Sequence, residues 1–571
     1  MSEIVVTKIG NNLKDAALKC FNSFGGVSNY IPKDGKVFIK INGVHFTKNC
    51  YTTPEFLGTI LDLLIENGAD PKKIYVIENC TSGLFTRLVM NVTGLTQAIK
   101  KRGVNYVYMD EDEPVTIQLG KEKYDVQIAK IAYEELIKNR NKNVLIHLPV
   151  FKTHWATKIT LTIKLSLGYL YDSSKAFKHH YYHRNRLVDI FEKFTPDISI
   201  IEGKYGVETG PCPPDQAAWS KEFIYDYNIL IAGTDGVALD AVGAKLLGLD
   251  NLEVDTTRIA HERGLGVGDI NKIKIIYDGN VEDLVQKVPW RFYYLRNRDR
   301  CVPPNVKWIT GLNEHKKDVA IACHDGCYGL TLISQELFYQ DHGGKGNYTL
   351  IFGKDIKKEE LEGLTEPILL MGTCASESLG SSLKEKYKEV WEFNSCAKLG
   401  DYAQAILKAN DIDPLSTVPF DPNIALFHLM IAATHGIREK AIIAIDLPLE
   451  NLIDVVAGSA NNLPNELFED EEFEQALKGF IAHKNPKIRA NAQSLLASVI
   501  NNKNLSKFKD LFKSGLVDEN KKVVKASLKS IKSLKNKELK KYFIPQIQDL
   551  TNNPDSSIQK LATTILDKIK G

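Results

Sequence analysis

The chain has 571 residues, 43% hydrophobic and 25% charged, which is ordinary for folded domains and too long for one hydrophobic core. Its 73 basic and 71 acidic residues leave a net charge of +2, so no global field is available to hold nucleic acid or an anionic membrane surface. No uncharged apolar run reaches the roughly 18 residues of a membrane span, and MSEIVVTKIG at the start lacks the segments of a secretory signal. Nine widely spaced cysteines fit free thiols in a reducing compartment better than a disulfide framework. A cytoplasmic protein is expected, with no membrane attachment and nucleic acid disfavoured as a partner.

In chain order, VFIKI (37–41) is the first compact apolar strand. Thr53-Pro54-Glu55 then opens a helix, with Thr as N-cap, Pro in the first turn and an acid behind it, and Gly68 stops it. KIYVIE (73–78), NVLIHLP (143–149), ISIIEG (198–203) and NILIAG (228–233) are further strands, and GVALDAVGAKLLG (236–248) is a helix with an apolar face. Short, nearly all-apolar strands alternating with helices predict a mostly parallel sheet covered on both faces. RNRDRCVPPNVKW (296–308) has the composition of a linker. DVAIAC, YTLIF, PILLMG and EVWEF, between 317 and 410, predict a smaller α/β domain of four strands.

Beyond about residue 420 helical periodicity takes over. Ile488, Val523 and Ile558 are spaced 35 residues apart; Ala492, Ser527 and Ala562 keep the same phase, as do Leu496, Ile531 and Leu566. A turn precedes each set. A fixed period of this size predicts stacked helix pairs, and NPKIRANAQSLL resembles the HEAT type of repeat. The expected domains are therefore 1–310 (α/β), 311–415 (smaller, cysteine-containing α/β) and 416–571 (all-α repeats).

Five motifs fall in one order over roughly residues 35–280: FIKINGV (38–44), HLPVFKTHWATKITLTIKLSLG (147–168), ISIIEGKYGVETGPCP (198–213), AGTDGVALDAVGAKLLG (232–248) and GLGVGDI (264–270). Together they resemble the domain-of-unknown-function 362 family. Members of that family are often described as iron–sulfur centre proteins, many with a ferredoxin-type insert of four closely spaced cysteines. This chain has no such run, and it carries Lys164-Leu165 where the family usually has Lys-Asn.

Read directly, the same motifs place polar residues where apolar strands finish, the edge at which open parallel α/β sheets bind ligands. Lys40 and Asn42 end the first strand; Lys152, Thr153 and His154 follow NVLIHLPV; Glu202 follows ISII and Asp235 follows NILIAG. Lys40, Asn42, Lys152, His154 and Lys164 would suit an anionic group such as phosphate or carboxylate. Asp235, Asp240 and Glu202 have the chemistry of acid–base groups or ligands of a divalent metal. Lys152, His154 and Asp235 are the catalytic candidates; Lys40, Asn42, Lys164, Glu202 and Asp240 are the substrate-binding ones. Blander readings exist for several: a surface lysine at 152 or 164, a helix N-cap at Asp235 and a solvent-exposed Asp240. KHHYYHR (178–184) sets His179 and His183 at i, i+4, and reads as a His/Tyr loop or lid more readily than as a metal site.

In the middle domain Cys323, Cys327, Cys374 and Cys396 fall after three different strands. In a parallel sheet that brings four thiols to one edge, as an iron–sulfur cluster or zinc site assembled from distant segments requires. One activated thiol, or buried structural cysteines, are the competing readings. The functional expectation is a metal- or iron–sulfur-dependent redox enzyme acting on a small anionic substrate. The alternative is a non-catalytic carrier or binding module, docked to a protein partner through residues 470–571.

Overall fold

The computed structural model describes the whole chain except residues 1, 81–83, 172–182, 209, 211–222, 289–302, 312–325, 336–337, 340–341, 395, 397–398, 437–446, 502 and 571. It divides into two compact units, Met1–Thr417 and Val418–Gly571. No helix among the described residues is long and apolar enough to cross a membrane.

In chain order the strands of the first unit begin with β1 (Ser2–Lys8), β2 (Val37–Ile41), β3 (Ile74–Glu78), β4 (Asn105–Tyr108), β5 (Pro114–Leu119) and β6 (Tyr124–Ala129). They continue with β7 (Val144–Leu148), β8 (Val150–His154), β9 (Lys158–Ile159), β10 (Ile198–Val207), β11 (Ile224–Gly233) and β12 (Ile273–Ile276). Ten of them form one sheet in the order β12-β1-β11-β10-β7-β2-β3-β4, with β8 alongside β10 and β9 alongside β8; β5 and β6 make a separate hairpin. The central strands β10, β7, β2, β3 and β4 are parallel, while β11 runs antiparallel to both β10 and β1. The chain leaves β2 for β3 and β4 on one side and later returns to β7 and β10 on the other. The crevice between the carboxyl ends of β2 and β7 is therefore the topological switch point.

Both faces of this sheet are covered, which is why its central strands read as unbroken apolar runs. Ile39, Ile146 and Ile198 pack beneath the helices Leu13–Asn22 and Pro54–Glu66. On the opposite face Phe38 and Leu145 pack with Tyr169 and Phe194, and Ile201 and Ile231 pack with the helix Gly236–Leu246. Between those two clusters the register sets Lys40, His147 and Ser199 side by side, a fully buried polar row across β2, β7 and β10.

A second, all-parallel sheet has the order β13 (Lys307–Thr310), β14 (Thr349–Phe352), β15 (Ile368–Met371) and β16 (Val390–Phe393). Its first strand begins within the segment that composition marked as a linker; Trp308 and Ile309 alternate between two apolar clusters, and Lys307–Thr310 pairs with β14. DVAIAC lies outside the described residues. Trp155 and Ala156, just beyond β8, belong to the same apolar cluster as Cys327, Tyr328, Leu350 and Met371. The two sheets are thus joined through the segment that follows His154.

The second unit is an array of helices. Pro486–Val499, Lys521–Ser533 and Ser556–Lys570 repeat at 35 residues, and all nine phased positions from Ile488 to Leu566 are buried. Asn485 and Asn520 cap the first two through their side chains, and Asp555 takes the N–H groups of Ser557 and Ile558 at the third. Arg489 makes a two-pronged pair with Asp518, at 2.8 and 2.9 Å, tying one repeat to the turn before the next. Gly515, buried in Leu505–Leu516, faces the neighbouring helices so closely that a Cβ would lie 2.3 Å from Ser527 Oγ and 2.4 Å from Gln493 Cδ.

A mid-helix Gly→Ala change ordinarily gains up to about 1 kcal/mol in helix propensity. Here overpacking, at about 1–3 kcal/mol, opposes it. Gly515→Ala is expected to lower stability in urea unfolding; a gain would show that the helices are not this tightly stacked.

Candidate functional site

The loop that leaves β2 is stitched closed before it reaches the next helix. Asn42 donates its backbone N–H to Thr52 Oγ1 at 2.9 Å, Thr52 returns its own N–H to the Asn42 carbonyl at 2.8 Å, and Thr52 Oγ1 donates to the Leu148 carbonyl on β7 at 2.7 Å. Residues 43–51 are thereby fixed over the switch point. Into this loop β8 projects Lys152, which is fully buried. Its ammonium donates to Asn42 Oδ1 at 2.9 Å and to the Cys50 carbonyl at 2.5 Å. The structure thus brings Asn42 and Lys152 together and removes the surface-lysine reading for Lys152.

His154, two residues on, is 7% exposed. Its Nδ1 accepts the Ala156 N–H at 3.1 Å, so a neutral ring carries its proton on Nε2. Nε2 has no partner among the described residues. Burial, reinforced by the charges of Lys164 and Lys152, holds His154 well below the usual histidine range. Lys164 is half-buried in the short helix Thr162–Leu165. At neutral pH His154 is therefore a hydrogen-bond donor in a cationic setting and not a general base.

His45, which none of the motifs singles out, sits in the closed loop over Lys152. Its Nδ1 takes the Thr47 N–H at 3.1 Å and lies 2.7 Å from Thr47 Oγ1; burial and the Lys152 charge push it down to about 3. Its only signal in the residues is its place four positions beyond the end of β2.

Four other candidates have different work. Lys40 is fully buried and its ammonium pairs with Glu78 at the end of β3 and donates to the Ile41 carbonyl at 2.8 Å. Burial pulls its pKa down and Glu78 opposes that. It is an internal ion pair, roofed by Gly168, where a Cβ would lie 2.6 Å from Nζ. Glu202 accepts the Thr53 N–H at 2.8 Å and hydroxyl at 2.5 Å, anchoring the cap of Pro54–Glu66; burial lifts it to about 7. Asp240 is buried rather than solvent-exposed: it accepts the N–H groups of Thr162 at 2.7 Å and Ile163 at 3.0 Å, so it positions the turn that bears Lys164. Burial lifts it, too, to about 7.

Asp235 is corrected by strand direction. Because β11 is antiparallel, its carboxyl end lies level with the start of β10, at the edge away from Lys152. There Oδ1 accepts from Val237 and Ala238 as an N-cap, and Oδ2 from Ser2 Oγ and Val267 N. It joins β1, a helix and the GLGVGD loop.

In the small sheet Cys327 starts the helix Cys327–Gln335, and its Sγ lies 3.2 Å from where a Cβ on Gly372 would be. Cys374 is in the first turn of Thr373–Lys386, and Cys396 Sγ lies 3.4 Å from Thr373 Oγ1. Three of the four cysteines therefore gather around residues 372–374. Cys323 lies outside the described residues, as does His179; His183 is buried at the start of a helix. Among the described residues no three Cys, His, Asp or Glu side chains are placed to share an ion.

Two outcomes are expected. Glu78→Gln strands a buried ammonium and should cost about 3–5 kcal/mol in urea unfolding, whereas Lys40→Met with Glu78→Gln should recover most of that loss; a single variant as stable as wild type refutes the internal pair. For Glu202, the folded chain keeps a proton that the unfolded chain sheds above the ordinary 4.5. Its contribution is present below that pH and is lost as pH rises towards about 7. Glu202→Gln should flatten the fall in stability between pH 5 and pH 8, by up to about 3 kcal/mol; parallel wild-type and variant profiles would contradict it.

Residues 37–245 match the family model described as Domain of unknown function (DUF362). The match takes in every residue of the switch-point site and leaves the cysteine-bearing sheet and the helical array outside it. Comparison with curated proteins finds no match.

Proposed function

We propose that the chain is an enzyme that binds a small anionic substrate at the switch point and acts on it beside the cysteine-bearing sheet, with redox chemistry as the reaction class. The observation that carries this reading is the run His154-Trp155-Ala156. His154 offers a donor in the field of two lysines, and the next two residues are part of the apolar cluster that contains Cys327. Sites built where two sheets meet, with apolar walls and a few polar groups, are the usual form of small-molecule pockets.

The thiols favour a soft metal or an iron–sulfur cluster over a hard cation. The described cysteines do not by themselves make such a site, so this part of the reading needs Cys323 to join Cys327, Cys374 and Cys396. A cluster held there would supply electron transfer; zinc would supply a Lewis acid or a structural clamp. Lys152 and Lys164 would hold the anion, and His154 would polarise it.

A carrier is the second reading, favoured by the 35-residue helical period: HEAT-like arrays present extended faces to protein partners. It predicts cofactor binding without turnover and a partner lost on removing residues 470–571.

Protein purified without oxygen should show visible absorption with iron and acid-labile sulfide, both lost in Cys374→Ser and Cys396→Ser. Orthophosphate should raise the unfolding temperature of wild type and not of Lys152→Met. Metal-free, colourless protein would end the cluster reading, and equal stabilisation of both proteins would end the anion site at Lys152.

A further inference from the structure

His45 and His154 share one local arrangement on two separate segments. In each, Nδ1 accepts the backbone N–H two residues ahead, from Thr47 and Ala156 respectively, at 3.1 Å. That bond makes Nδ1 the acceptor and leaves the ring proton on Nε2. Were Nδ1 of His45 to donate to Thr47 Oγ1 instead, the Thr47 N–H would lose its acceptor. Neither Nε2 has a partner among the described residues, and both rings feel the Lys152 ammonium. The loop that carries His45 is held to Lys152 by Asn42 Oδ1 and the Cys50 carbonyl, and His154 follows Lys152 on β8.

The geometry points to His45 as a second neutral donor of the anion site, which with His154 binds a fully ionised oxyanion through paired Nε2–H groups. This rests on the anion reading above and adds to it both a residue and a ligand class. Two Nε2–H donors beside an ammonium offer hydrogens only. A ligand gains from every contact if its oxygens are all acceptors, as in a carboxylate or a phosphate dianion, whereas a protonated acid or an alcohol brings a hydrogen that faces another. Two neutral imidazoles also leave no base at Nε2, so this wall of the site binds and polarises without removing a proton.

The test uses the full chain with 15N-labelled histidine and orthophosphate as probe. Long-range proton–nitrogen correlation spectra, assigned with His45→Gln and His154→Gln, should place both rings in the neutral Nε2–H form at pH 7. Both Nε2–H signals should move together as phosphate is added, with one dissociation constant. His45→Ala should weaken phosphate binding about tenfold, and His45→Gln, which keeps an N–H at similar reach, should restore most of it. Phosphate binding that depends on Lys152 but is unchanged in His45→Ala, or an Nδ1–H or cationic ring at position 45, would overturn this inference and leave the anion reading standing. Failure of phosphate to bind wild type at all, with the rings as expected, would overturn both.

Discussion

An ammonium group cannot be left dry in a protein interior, and among the described residues the first unit holds two that are fully buried, Lys40 on β2 and Lys152 on β8. They are satisfied in different ways, and the local structure around each follows from that difference. Lys40 is given a carboxylate, Glu78, and a roof of backbone at Gly168. Lys152 has neutral oxygens on the loop after β2, Asn42 Oδ1 and the Cys50 carbonyl, among its acceptors. That loop is consequently bound to the ion it covers, which fixes residues 43–51 beside the ends of β2 and β7.

Two glycines permit the close approaches that this part of the sheet requires. Gly168 allows the chain to pass over Lys40, and Gly210 packs on β8, where a Cβ would stand 1.6 Å from the Thr153 carbonyl oxygen. Two of the buried carboxylates, Glu202 and Asp240, grip backbone N–H groups at the starts of two helices. Their oxygens are committed to positioning, which is why their raised pKa values bear on stability more directly than on chemistry.

Much of this was legible in the residues. VFIKI coincides with β2, and Thr53, Asn485 and Asn520 cap the helices their local patterns announce. Of the polar strand ends, Asn42 and Lys152 meet. Strand direction was not legible, because an apolar run has no arrow: NILIAG reads the same in a parallel or an antiparallel strand, and the antiparallel course of β11 carries Asp235 to the other edge. Partnership was equally hidden. Nothing local in KIYVIE marks Glu78 as the counter-ion of Lys40, and burial of Asp240 depends on a turn 77 residues before it. The strand Lys307–Thr310 was not legible either, because Pro and Asn just before it read as loop while its pairing with β14 is long-range.

Charge also decides which roles remain open around the site. A histidine in a catalytic pocket is ordinarily the first candidate for a base, but here burial and two lysines keep His154 neutral, and its Nδ1 is spent on backbone. Proton transfer at this site would then fall to a group other than the histidines, since Glu202 and Asp240 are bound to backbone and Lys40 to Glu78. The segment that leaves His154 runs directly into the cluster containing Cys327, and thiols are groups whose protonation and oxidation state can change without breaking a structural bond. On the proposed reading, a site that binds and polarises beside a sheet edge bearing thiols would divide the chemistry between the two sheets of the first unit. Trp155, which packs with that second sheet, ties the strand bearing Lys152 and His154 to the cluster bearing Cys327.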